Sequence, residues 1–149
     1  MRHVFCIVFI VLSSISVAQS PTRSDDFSIT LERIGCLGFC PDYKVTILRS
    51  GAVRYEGRFY VRVKGVRQTT VPVADVKGLM QKLRDENFLH WKERTVVWVD
   101  YPEVLITATL DGRRKHVLEG CQTPGKILEL ADEIDRISGA KSWGERVRE

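Results

Sequence analysis

From Phe27 to Arg33 apolar and polar side chains alternate, with Phe27, Ile29 and Leu31 in one phase and Ser28, Thr30 and Glu32 in the other. That is the period of a half-buried strand. Tyr43, Val45 and Ile47 repeat it, and Ser50-Gly51 supplies a tight reversal. The longest run follows, with Val53, Tyr55, Gly57, Phe59, Val61 and Val63 alternating against Arg54, Glu56, Arg58, Tyr60, Arg62 and Lys64. It predicts one long strand with a core face and a basic, wet face, bent by a bulge at Gly57. Gly65 then permits a second reversal, and Gln68 to Val71 return as a shorter strand.

At Pro72 the period changes. Val76, Leu79, Met80 and Leu83 fall on one stripe of an amphipathic helix, with Asp75 near its positive N-terminal end. Phe88, Leu89 and Trp91 carry apolar content into a connection. Trp98 and Asp100-Tyr101-Pro102 introduce a strand over Glu103 to Leu110. Asp111-Gly112 is a strong hairpin signal, and Arg113 to Glu119 return. Thr123 as N-cap and Pro124 at the first helical position open a second helix. Its stripe is Ile127, Leu130, Ala131, Ile134 and Ile137, and Gly139 suits its C-terminal cap. A weak internal echo, a hairpin leading to a helix in each half, points to one shared sheet. The expected fold class is α+β, a two-layer arrangement of an antiparallel sheet of about five to six strands with two helices packed on one face.

The N-terminus stands outside this pattern. Met1-Arg2-His3 precedes the apolar run Val4 to Leu12 and the small residues Ser16-Val17-Ala18, which together read as a secretory signal peptide cleaved after Ala18. The apolar run is too short for a spanning helix, which needs about 20 residues. The expected organisation is therefore a signal peptide over 1–18, a flexible segment over 19–26, a single domain over 27–143 and a frayed tail over 144–149. A periplasmic or secreted location follows, with no transmembrane segment after signal removal. The chain's 149 residues suit one core. Its composition excludes a collagen-like, disordered or multi-span protein, and its net charge of +4 falls by one when Arg2 is removed.

Signal cleavage removes Cys6 and leaves Cys36, Cys40 and Cys121, enough for one bridge and one spare thiol. Gly35, Gly38 and Pro41 make the Cys36–Cys40 segment a loop that can bring the two thiols together. A Cys36–Cys40 staple is the leading pairing, and a link from either cysteine to Cys121 is the alternative. Redox catalysis normally uses a Cys-x-x-Cys at a helix start; here the spacing is one residue longer and the next segment reads as strand. A Cys-x-x-x-Cys-Pro string also occurs in copper chaperones, a soft-ligand site, but there it precedes a helix.

Other chemistry is sparse. His90 and His116 sit in unrelated contexts, Cys121 with His116 lacks an orienting third group, and Asp100 and Glu103 read as turn and strand residues rather than a catalytic pair. No cofactor, metal or catalytic residue is expected. Arg54, Arg58, Tyr60, Arg62 and Lys64 form a candidate face for an anionic partner, reinforced by Arg113, Arg114 and Lys115. Given export, an acidic envelope protein, glycan or lipid headgroup fits that face better than nucleic acid.

Arg33, the string Cys36-x-Gly38-x-Cys40-Pro41-x-Tyr43, Gly51, Tyr55-x-Gly57, Asp100, Gly139 and Trp143 resemble a bacterial family of secreted and lipoprotein-attached domains of unknown function. The resemblance spans about Ile29 to Trp143. It implies a compact extracytoplasmic domain whose cysteine loop belongs to the family pattern, and it carries no activity. The functional expectation is thus an exported, non-enzymatic binding module of the bacterial envelope. The alternative is a thiol-redox or copper-handling protein using the Cys36/Cys40 loop.

Overall fold

The computed structural model describes residues 27–92, 100–120 and 125–147. The expected signal peptide over 1–18, residues 19–26, Trp98, Cys121 and the expected cap at Thr123 and Pro124 lie outside them. Six strands, β1 (Ser28–Ile34), β2 (Asp42–Leu48), β3 (Ala52–Phe59), β4 (Gly65–Thr70), β5 (Glu103–Leu110) and β6 (Arg113–Gly120), form one sheet in the order β4-β3-β2-β1-β5-β6. Every pairing is antiparallel. The first four strands form a meander, α1 (Val73–Asp85) carries the chain back, and β5 pairs with the free side of β1. Helix α2 (Lys126–Ser138) and the short α3 (Ala140–Trp143) complete the α+β fold.

Alternation decides which face is covered. Ile29 and Leu31 of β1 face the same side as Val45 and Ile47 of β2 and as Ile106 and Ala108 of β5. They join Val76, Leu79 and Leu83 of α1 with Ile127, Leu130 and Ile134 of α2 in one buried cluster. Both helices therefore cover the same face, each through the stripe its 3.6-residue period creates. The opposite face stays polar and is laced by side-chain contacts such as Thr30–Thr46 at 3.0 Å and Lys44–Glu32 at 3.2 Å.

Two details depart from the sequence pattern. The long strand ends at Phe59 instead of running to Val63: the register shifts opposite Asp42 and Tyr43, so that Arg58 is the extra residue, and Tyr60 enters the left-handed region at φ 52°. The phase is thereby lost, and Phe59 is exposed rather than in the core. Helix α2 is described from Lys126, with Gly125 before it in extended conformation. The tail expected to fray is tied down through Val147. Arg62 N–H donates to Glu145 O (3.0 Å), Val63 N–H to Trp143 O (3.0 Å) and Val147 N–H to Tyr60 O (3.2 Å). Those bonds satisfy the backbone that the broken strand leaves unpaired. Gly139 caps α2 at φ 76°, as its residue type suggests.

Candidate functional site

Arg33 occupies a core-facing position, opposite Tyr43 on β2 and Val104 on β5. A guanidinium there demands a partner, and α2 brings one. Arg33 Nε donates to Asp135 Oδ2 at 2.8 Å and Nη2 to Asp132 Oδ1 at 2.7 Å. The Tyr43 hydroxyl donates to the same Asp135 oxygen at 2.8 Å. Asp135 is only 4% exposed. Burial pushes its carboxyl above the ordinary carboxylate range, against the pull of Arg33 and Tyr43. Burial likewise raises Tyr43, reinforced by the Asp135 charge.

An aromatic column stands on this pair. Tyr43 and Tyr55 have ring centroids 5.5 Å apart, and Tyr55 meets Trp143 edge-on at 5.4 Å. Burial and then the Asp135 charge push Tyr55 up to about 12. Its hydroxyl and Asp135 Oδ1 are buried and find no hydrogen-bond partner among the described residues. Two glycines make the column possible. A Cβ on Gly57 would collide with the Val63 carbonyl, and one on Gly144 would enter the Tyr43 ring.

Above the network lies the cysteine loop. Cys36 and Cys40 stand at disulfide-bonding distance with Cα atoms 5.4 Å apart, matching the staple pairing. The loop forms a ridge between two clefts. One, of about 430 Å³, is lined by Phe39, Pro41, Tyr43, Asp135, Lys141 and Arg146 among others. The second, of about 550 Å³, is lined by Leu37, Asp42, Phe59, Tyr60 and Tyr101 among others. Four of the large apolar side chains that the fold leaves exposed gather here: Leu37, Phe39, Phe59 and Tyr101, with Leu37 85% exposed. Phe39 also packs edge-on against Tyr60 at 5.4 Å.

Most residues of the sequence signature thus converge on one end of the sheet: Arg33, the cysteine loop, Tyr43, Tyr55, Gly57 and Trp143. No motif marks the acidic partners Asp132 and Asp135, although the pattern carries a signal for them. Asp135 falls in step with Ile127 and Ala131 on the apolar stripe of α2, and Arg33 continues the core phase of Phe27, Ile29 and Leu31. Two opposite charges at core positions announce a buried pair.

The candidate anionic-partner face is dispersed. Arg54 pairs with Glu56 at 2.8 Å, Arg58 pairs with Asp42 and with Glu32, and Arg62 pairs with Glu145. Arg62 and Lys64 lie beyond the end of β3, out of line with Arg54 and Arg58, while Tyr60 has turned toward Phe39. His90 Nδ1 lies 2.6 Å from Asn87 Oδ1, and His116 sits on β6 opposite Thr107. Asp100 adopts φ 86° in the turn before β5, across from the cysteine loop.

Among the described residues no group of three or more His, Cys, Asp or Glu is arranged to hold a metal ion, and no helix is long and apolar enough to cross a membrane. No curated protein matches the sequence. Residues 27–138, the sheet with both long helices, match the model of a domain of unknown function, DUF6438, and the chain belongs to that family.

Proposed function

We propose that this domain is an exported binding module of the bacterial envelope that engages a partner protein through the end of the sheet carrying the cysteine loop. The supporting observation is the gathering of Leu37, Phe39, Phe59 and Tyr101 in solvent around a loop closed at its base by Cys36 and Cys40. Exposed apolar surface of this kind costs free energy in water and is recovered by burial against a partner. The loop is short and closed, so little further ordering is required on binding. Apolar side chains on a partner polypeptide match the exposed groups. Lys141 and Arg146 beside Phe39 favour acidic residues flanking them.

The test is photocrosslinking from position 37 in cells that make the chain natively. The expected result is a discrete protein adduct, lost when Phe39 and Phe59 are changed to serine and absent when the probe is moved to Lys77 on the exposed side of α1. Equal labelling from both positions would sink the reading. The thiol-redox or copper alternative predicts different behaviour in one titration. A structural staple leaves Cys36 and Cys40 unreactive until a reductant is added, whereas a copper handler takes up stoichiometric Cu(I) through them.

A further inference from the structure

The two edges of the sheet differ in what they offer a second strand. The β6 edge begins with Arg113, Arg114 and Lys115, a run of cations that discourages pairing. The β4 edge, Gly65–Thr70, carries one charge, Arg67, and has no proline. All six of its residues are exposed, and among the described residues no helix or further strand covers it.

Register identifies the backbone groups that point outward. Val71 N–H donates to Gly51 O at 2.8 Å, and the β3–β4 ladder continues in the same register, with Val53 opposite Thr69, Tyr55 opposite Arg67 and Gly57 opposite Gly65. Antiparallel strands alternate the direction of their backbone groups. Thr69, Arg67 and Gly65 therefore turn N–H and C=O toward β3, while Val66, Gln68 and Thr70 turn theirs away from the sheet. An extended edge with these groups free is a template for strand addition.

We propose that this edge pairs with the same edge of a second copy, giving a two-fold dimer with one continuous sheet and its axis at Gln68. Any antiparallel register whose axis passes through a residue keeps the helical layers of both copies on the same side, and the three central ones have their axes at Arg67, Gln68 or Thr69. An axis at Arg67 sets two guanidinium groups face to face, which is repulsive. An axis at Thr69 places Pro72, which has no N–H, opposite Val66 and loses part of the ladder. With the axis at Gln68, Gln68 faces Gln68, Val66 faces Thr70 and Arg67 faces Thr69. Every outward N–H and C=O of the strand then has a partner, no like charges stand directly opposite one another, and exposed Val66 gains cover. The edge runs from Gly65, at the cysteine-loop end of the sheet, to Thr70, and none of its residues lines the two clefts, so a dimer would leave both copies of that end open.

Sedimentation of the signal-free chain over a concentration series tests the proposal. The expected result is a monomer–dimer equilibrium. Gln68→Pro removes an N–H that β3 does not use and should abolish the dimer while leaving the circular dichroism unchanged, and the melting unchanged at concentrations where the parent is monomeric. Gln68→Lys places like charges across the axis and should act in the same direction, which guards against a folding defect in the proline variant. In a Cys121→Ser background, Gln68→Cys chains should crosslink to one another on oxidation, since facing Cα atoms about 5.5 Å apart suit a disulfide. Arg67→Cys chains should not. A chain that stays monomeric throughout, a dimer indifferent to both Gln68 substitutions, or crosslinking at 67 rather than 68 would overturn the proposal.

Discussion

Two arginine–carboxylate clasps join helix to sheet at opposite ends of the molecule, with nearly the same chemistry in opposite surroundings. At the cysteine-loop end Arg33 of β1 grips Asp135 of α2, with Nε 2.8 Å from Oδ2, and the carboxylate is buried. At the other end Arg84 of α1 grips Asp111 in the β5–β6 turn, with Nη2 2.6 Å from Oδ1 and Nε 3.1 Å from Oδ2, and the Asp111 side chain is 54% exposed. Geometry alone would rank the Arg84 clasp at least as high. Dielectric surroundings reverse the order for a truncation, because water replaces a lost partner at Asp111 and cannot do so at Asp135. The carboxyls also shift in opposite directions. Burial raises Asp135, whereas the hydrogen bond and charge of Arg84 lower Asp111.

The sharpest way to break this contrast is Asp135→Ala, which leaves the buried Tyr43 hydroxyl without its acceptor and Arg33 with Asp132 alone. The expected loss is about 3 to 5 kcal/mol in denaturant unfolding. Asp135→Asn, which keeps an acceptor, should lose less. Replacing the pair together, Arg33→Met with Asp135→Leu, should recover much of the alanine loss, since apolar groups of similar volume can substitute for a buried ion pair. A double variant as weak as Asp135→Ala would mean that the charges themselves hold the end together.

Next in size is the cysteine loop. Cys36→Ser with Cys40→Ser removes a short cross-link and should lower stability by about 2 kcal/mol on the chain-entropy model. The Arg33 network should persist beneath it, read as an unchanged near-ultraviolet signal from the Tyr43, Tyr55 and Trp143 column.

Alkaline pH probes the same end without mutation. Unfolded tyrosines ionise near pH 10, whereas burial and the Asp135 charge hold Tyr55 up at about 12 and shift Tyr43 in the same direction. A raised pKa means that the folded state keeps a proton the unfolded state gives up. The associated stability is present below pH 10 and declines as pH rises toward 12. Absorbance at 295 nm should show Tyr43 and Tyr55 ionising only as the chain unfolds.

The smallest effect belongs to the exposed clasp. Arg84→Ala should lower the unfolding midpoint slightly, and about 0.5 M salt should erase the difference. A lowered pKa gives Asp111 the opposite sign from Asp135. Its stabilisation is present at neutral pH and lost as pH falls through its folded value. The gap between Arg84→Ala and the parent should therefore close in acid.

The cysteine-loop end was only half legible in the sequence. The Cys36-x-Gly38-x-Cys40-Pro41-x-Tyr43 string marked the loop, and Tyr55-x-Gly57 and Trp143 belonged to the same signature. Nothing in their spacing states that they meet. The carboxylate that binds them lies far along the chain on α2, and the sequence pattern of that helix drew attention to its apolar stripe.

Local periodicity determined a great deal on its own. Alternation over Glu103 to Leu110, the Asp111-Gly112 turn and the helical stripes from Val76 and Ile127 are properties of neighbouring residues. Short-range sterics and the pleat or helical repeat therefore fix them. The break at Phe59, the docking of residues 143–147 on residues 60–63 and the Arg33–Asp135–Tyr43 network were decided only by the tertiary structure. Each depends on groups distant in sequence competing for the same buried hydrogen bonds. Alternation from Val53 to Val63 specifies a continuous strand, and a partner chain segment close enough to satisfy the freed backbone is what permits the break.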